Sequence, residues 1–162
     1  MKRFAIAAII VAVLGILGVW WFSPTQVLKR RTLSLLTTLT LEAGTGKAGR
    51  QLGAYSLNAL LAPQVELYAP TIQEANGSFE RSELESAFSW LCNQARQTRF
   101  ELQKFHSVTI SGDQAKVELT LEALVELPSY RPADGTYDAT FDWEKAKDGW
   151  RLTRATWKQV HP

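Results

Sequence analysis

From Lys116 to Leu127 the chain alternates between two kinds of residue almost without a break. Val117, Leu119, Leu121, Ala123, Val125 and Leu127 share one phase, and Lys116, Glu118, Thr120, Glu122 and Glu126 share the other, interrupted only by Leu124. The pattern returns with Tyr137, Ala139, Phe141 and Trp143 set against Thr136, Asp138, Thr140, Asp142 and Glu144. A period of two belongs to a strand. One apolar phase and one charged phase mean one face in a core and the other in water, the habit of antiparallel sheets. Ser111-Gly112-Asp113 and Asp148-Gly149 supply turns on either side. They extend the sheet to a strand from Arg99 to Ile110 and a last one from Trp150 to Val160. The alternation slips near Lys104–His106, which predicts a bulge there.

Ahead of these strands the period is 3.6. Ser23-Pro24-Thr25-Gln26 reads as a helix start, with Ser as cap, Pro in the first turn and Gln closing a capping box. The helix runs to about Leu41 on a stripe of Leu28, Leu35, Leu36 and Leu39. Three glycines between Glu42 and Gly49 break it. A second helix is predicted from Arg50 to Leu61, with Leu52, Tyr55, Ala59 and Leu60 on one face, and Pro63 ends it. Val65 to Ala69 is a short strand, and Asn76-Gly77 predicts a tight hairpin turn. Ser82-Glu83-Leu84-Glu85 opens a third helix as a capping box, with Leu84, Ala87, Phe88, Leu91 and Ala95 as its stripe. The expectation is an α+β domain. Its three N-terminal helices pack on a curved, cone-shaped antiparallel sheet.

Before the domain stand 19 residues, Phe4 to Phe22, with no charge and no strongly polar group. As a helix they would rise about 28 Å, close to the thickness of a bilayer's hydrocarbon. Lys2 and Arg3 precede the run and Trp20-Trp21-Phe22 close it, as basic and aromatic residues flank a spanning helix. A cleaved secretory leader is the alternative. Its apolar stretch is shorter, though, and it ends in small residues, where this one ends in bulky rings. The sequence therefore predicts a single-pass signal anchor over 1–23 and a domain over 24–162. Basic residues flank both ends of the run, so the positive-inside count does not decide orientation. The short N-terminal head favours an extracytoplasmic domain, periplasmic in a bacterium.

All 16 acidic residues fall in 24–162, with every Lys and Arg except Lys2 and Arg3. The domain is formally neutral and its basic residues are scattered, which argues against a nucleic-acid partner. The one cluster, Lys29-Arg30-Arg31, follows the apolar run closely and suits anionic lipid headgroups. Cys92 is the only cysteine, so no intrachain disulfide forms. No pair of Cys or His has metal spacing. Neither metal nor cofactor is expected. Gly44-Thr45-Gly46-Lys47 imitates the end of a phosphate loop, but Leu41 and Ala48 stand where the motif needs Gly and Ser or Thr.

The order of elements resembles the nuclear transport factor 2-like superfamily, which includes SnoaL-like cyclases and ketosteroid isomerases. The local marks are Ser82-Glu83-Leu84-Glu85 opening a helix after a hairpin, and Lys147-Asp148-Gly149-Trp150-Arg151-Leu152 near the end. The resemblance implies a cone with a pocket at its wide end. It also implies where catalysis would sit. Isomerase-like members carry an acid/base carboxylate after the first strand and before a proline, and in Val65-Glu66-Leu67-Tyr68-Ala69-Pro70 that place falls to Ala69. They use a tyrosine from the first helix, and 24–41 has none. Glu66 and His106 remain as titratable candidates. Their contexts predict a solvated strand residue and a hydrogen-bonded structural histidine.

The sequence thus leans away from an enzyme. Aromatic residues are expected to line the cone, and Tyr55, Tyr68, Trp90, His106, Tyr137, Phe141 and Trp143 form the candidate pocket set. The first reading is a membrane-tethered, non-catalytic interaction or assembly module. The alternatives are a binding protein for a small hydrophobic ligand, or an isomerase- or cyclase-like enzyme with relocated residues. A cavity of at least about 300 Å³ would favour a ligand over assembly. An interior without carboxylate or imidazole would favour binding over catalysis.

Overall fold

The computed structural model describes residues 20–42, 44, 53, 55–69, 76–128 and 132–160. The apolar run lies outside these residues as far as position 19. Among the described residues, no helix is long and apolar enough to cross a membrane.

The first helix, α1 (Pro24–Leu39), starts as its sequence dictates. The Ser23 side chain accepts a hydrogen bond from the Gln26 amide at 3.4 Å, with Pro24 in the first turn. Leu28, Leu35 and Leu36 are buried along one side. The second expected helix falls largely outside the described residues. Residues 55–58 are helical, and at Leu61 the chain is already a strand. That strand, β1 (Leu61–Tyr68), starts earlier than its sequence suggested because Pro63 reads as a terminator. Pro63 is tolerated where ladder pairing lapses. Pairing with the last strand skips from Leu61 to Glu66, and pairing with the next strand begins at Gln64. A residue with no N–H fits such a gap.

β2 (Gly77–Glu80) pairs antiparallel with β1, Leu67 opposite Gly77. Asn76-Gly77 is therefore not a two-residue hairpin turn. Asn76 instead accepts a hydrogen bond from the Ala69 amide at 2.5 Å. The next helix, α2 (Arg81–Gln94), follows two strands rather than preceding the sheet, so the expected set of three leading helices is corrected. Its capping box is formed by Glu80 and Glu83, two residues before the predicted one, with Glu83 Oε2 accepting from the Glu80 amide at 2.7 Å. Four long strands complete the chain: β3 (Gln97–Ser111), β4 (Gln114–Glu126), β5 (Ala133–Ala146) and β6 (Gly149–Gln159).

The six strands form one sheet in the order β2-β1-β6-β5-β4-β3. All neighbours are antiparallel except β1 and β6, which run parallel. The inner face is a lattice of facing apolar pairs. Val117 meets Phe141, Leu119 meets Ala139 and Leu121 meets Tyr137. Phe141 meets Ala155 and Ala139 meets Trp157. Phe141, Trp143, Val117, Leu119 and Leu121 are essentially inaccessible. Each such side chain contributes about 1.5–3 kcal/mol by leaving water.

Bulges keep this lattice in phase. β3 has two, one at Gln103 and one at His106. Its inner residues Phe100, Leu102, Phe105, Val108 and Ile110 are spaced two, three, three and two apart, and each still faces an apolar residue of β4. β6 has a third bulge at Thr153, which lets both Leu152 and Ala155 point inward. The Thr153 hydroxyl bonds the Asp142 carbonyl at 3.1 Å and holds it in place.

Candidate functional site

α1 covers the inner face and is fastened at both ends. At its C-terminus Leu41 forms a bridge with Thr98, and the Thr98 hydroxyl donates to the Leu39 carbonyl at 2.6 Å. Nearer its start, Arg31 donates to the carbonyls of Ala59 and Asp148. Gly149 leaves room for that guanidinium, since its φ of +129° suits glycine and a Cβ there would strike Arg31. Arg151 closes the same corner. It donates to the carbonyls of Asn58 and Leu61 at 2.8 and 3.1 Å and pairs with Asp148. That hydrogen bond, with help from Arg31, pulls the Asp148 carboxyl below its ordinary value.

Between the helices and the sheet lies a cavity of 390 Å³. α1 contributes Leu35 and Leu39, and α2 contributes Leu84, Ala87, Phe88 and Leu91. β1 contributes Leu61, Val65, Leu67 and Ala69. The far wall is Phe100, Ala123, Val125, Ala133, Tyr137, Phe141, Leu152, Ala155 and Trp157, and Leu57 closes the set. The space exists because alanine recurs at inward positions whose neighbours are large. Trp157 stands edge-on between Phe100 and Phe141, with ring centroids 5.8 Å from each, and stiffens one wall. Among these residues the polar side-chain groups are the Tyr137 hydroxyl and the Trp157 indole N–H. None is a carboxylate, imidazole, amine or thiol. Ala69 lies in the wall, so the position to which the resemblance assigned a carboxylate presents a methyl group.

The sequence-derived pocket set divides on this geometry. Tyr137 and Phe141 line the cavity. Trp143 is buried in the same core but does not line it. Tyr55, Tyr68 and Trp90 are 82%, 54% and 59% exposed, and none of them lines it. Tyr55 borders an open groove beside α1 with Arg30, Leu33 and Thr37. His106 stands on the outer face at its bulge, Nε2 2.7 Å from the Thr120 hydroxyl, which donates to Asp138 at 2.6 Å. It is hydrogen-bonded, as its context predicts, and it does not line the cavity. Glu66 is exposed and pairs with Arg154 at 2.6 Å. The residues missed from the set are the alanines and leucines, and the stripe of α2 already marked Leu84, Ala87, Phe88 and Leu91.

The basic cluster is also divided. Lys29 lies 5.4 Å above the Phe105 ring, Arg30 lies 4.5 Å above the Trp21 ring, and Arg31 is occupied by backbone carbonyls. Among the described residues, no group of three or more His, Cys, Asp or Glu is placed to hold a metal ion.

The sequence matches no family model and no curated protein. The structure is similar to a nuclear transport factor 2-like superfamily protein from Salmonella enterica, at a TM-score of 0.65 and 12% identity over 85% of this chain and 92% of that one. It is similar to a protein of the same fold from Cytophaga hutchinsonii, at 0.65 and 15% over 86% and 100%. The S. rosetta CaMKII hub matches at 0.62 and 17% over 85% and 98%. At these identities the likeness is one of fold. The chain has the nuclear transport factor 2-like fold, which proteins titled a putative dehydratase, from Streptomyces avermitilis, and a putative aromatic ring hydroxylase, from Novosphingobium aromaticivorans, also have. The choice among them rests on the site.

Proposed function

We propose that this chain is a membrane-tethered, non-catalytic domain that binds a small apolar molecule inside its cone. The observation that carries the reading is the 390 Å³ cavity, whose described lining has no group that exchanges protons near neutral pH. Its volume falls in the range of small-molecule pockets. General acid–base chemistry needs a titratable group within reach of the substrate, and the described wall presents methyls and rings instead. The cavity supports the small-ligand alternative over assembly alone, because it exceeds the roughly 300 Å³ at which small-molecule pockets begin.

The tethering half of the proposal rests on the apolar run Phe4–Phe22 and on its close connection to α1. Trp20 and Trp21 are exposed and helical, Ser23 caps α1 directly, and no spacer intervenes. With Arg31 engaged, Lys29 and Arg30 are the residues left to meet anionic headgroups. Arg30, stacked on Trp21, is held at the level of the interfacial rings. An extracytoplasmic position for the domain belongs to the same proposal.

The test is photolabelling of the full chain in membranes with a diazirine-bearing alkane, followed by peptide mass spectrometry. Label is expected in β4, β5 and β6 peptides that contain cavity residues, and it is lost in Ala155→Phe while the protein remains folded by circular dichroism. Labelling confined to the apolar run would overturn the binding reading. Recovery of the mature chain from the soluble fraction, cut after residue 22 or 23, would overturn the tether.

A further inference from the structure

Among the described residues that line the cavity, Tyr137 and Trp157 carry the polar side-chain groups. At the end where β4 leaves the sheet and β5 enters, Ala133 and Tyr137 line the wall and Gly135 lies between them in the same inward phase. Gly135 faces Ala123, another wall residue, across the β4–β5 pairing. The space above Gly135 is taken by a neighbour's side chain. A Cβ built there would lie 3.0 Å from Gln159 Nε2 and 3.4 Å from the Tyr137 ring. Gln159 is the register partner of Tyr137 on β6 and follows Ala155 and Trp157 in the inward phase. The absence of a side chain at 135 thus leaves room for the Gln159 amide beside the Tyr137 ring, next to the residues that line the cavity. Among the described residues neither the Gln159 amide nor the Tyr137 hydroxyl makes a side-chain hydrogen bond.

We infer that Tyr137 and Gln159 form a polar reading point for the ligand's one hydrogen-bonding end, which makes the ligand an uncharged amphiphile with an apolar body and a terminal hydroxyl or carbonyl. An amide and a phenol together offer both donors and acceptors, so they suit a neutral group of either kind. The described wall carries no cation, so an ionised carboxylate would enter without compensation. A plain hydrocarbon would fill the cavity but leave both groups unused. This inference rests on the binding reading above, and the test separates the two.

The full chain in membranes is labelled in parallel with diazirine-bearing dodecane, dodecanol and dodecanoate, the last at pH 8. Label in cavity peptides is compared between wild type, Gln159→Leu and Tyr137→Phe, so that each probe's partition into lipid cancels. The alcohol-to-alkane ratio is expected to fall about three- to tenfold in Gln159→Leu, the worth of one neutral hydrogen bond. It is expected to fall in Tyr137→Phe as well, with alkane labelling unchanged in both. Dodecanoate is expected to label wild type at least about tenfold less than the alcohol does, the cost of an uncompensated charge. An unchanged alcohol-to-alkane ratio in both variants, or dodecanoate labelling equal to the alcohol's, overturns the reading point while alkane labelling still upholds the cavity. No cavity labelling by any probe in wild type overturns both.

Discussion

Thr32 is fully buried in α1, and its hydroxyl finds no hydrogen-bond partner among the described residues. A buried, unanswered hydroxyl costs about 1–3 kcal/mol, and a methyl of the same shape removes the cost. Thr and Val differ little in helix propensity. Thr32→Val is therefore expected to stabilise the protein by about 1 kcal/mol, roughly 2–4 °C in Tm for a chain of this size, as measured by thermal unfolding. Asp148 gives a prediction of pH dependence. Arg151 and Arg31 hold its folded-state pKa below the unfolded value of 3.8. Its contribution is thus fully present above that value and is lost as pH falls through the lower, folded pKa. Asp148→Asn is expected to lower Tm at pH 7, with the gap to wild type closing as pH falls below 3.8. A constant gap would mean that the carboxylate's charge plays no part.

Bulges govern the elements. His106 contributes little as a side chain, because its partner Thr120 lies on an exposed face. His106→Ala is expected to cost no more than about 1 kcal/mol, the worth of an exposed polar contact. Deleting His106 removes the bulge itself and leaves Phe105, Ser107 and Val108 in plain alternation, so Val108 and Ile110 still face Val117 and Ala115. The deletion is therefore expected to cost less than the roughly 3 kcal/mol of turning two apolar side chains out of the core, which denaturant unfolding of the two variants checks. The β3 slip was legible in the sequence because the phase change near Lys104–His106 has polar residues on both sides of Phe105. The β6 bulge was not, since Leu152-Thr153-Arg154-Ala155 alternates poorly with or without it. The start of β1 is not legible, because Leu60-Leu61-Ala62-Pro63 has the look of a helix end and only a lapse in pairing makes room for proline there. In the pocket set, Tyr137 and Phe141 were marked correctly by strand phase. Tyr68 could have been set aside by the same rule, since it shares the outward phase of Glu66. Trp90 lies off the stripe of its helix, and Tyr55 sits on the predicted stripe with Leu52, Ala59 and Leu60, but spacing alone does not say that this stripe faces the cavity.

Across the whole molecule, the sheet's two faces do different work. The outer one is laced with polar pairs, including Arg99 with Glu122, Ser107 with Glu118, and Arg154 with both Glu66 and Asp142. Covering such a face in a permanent dimer would bury charges that water now solvates. Light scattering is therefore expected to find no tight dimer across Glu118, Glu122, Asp138 and Asp142. The inner face carries the opposite tension. A cavity left open for a ligand withholds contacts that a closed core would have made, so the empty protein is less stable than its sequence could make it. Ala123 is the place to test this. It is buried, lines the cavity, and faces Gly135 on one strand and Phe100 on the other. A larger side chain there would extend into the cavity that Ala123 lines. Ala123→Leu is expected to raise the stability of the unliganded protein by about 1 kcal/mol, within the usual yield of cavity filling, and to abolish alkane photolabelling in the cavity peptides. The two effects have opposite consequences for function, and that pairing distinguishes a binding site from a packing defect. A stabilised variant that still takes the probe would place the ligand elsewhere. A destabilised one would show that the space around Ala123 is already spoken for.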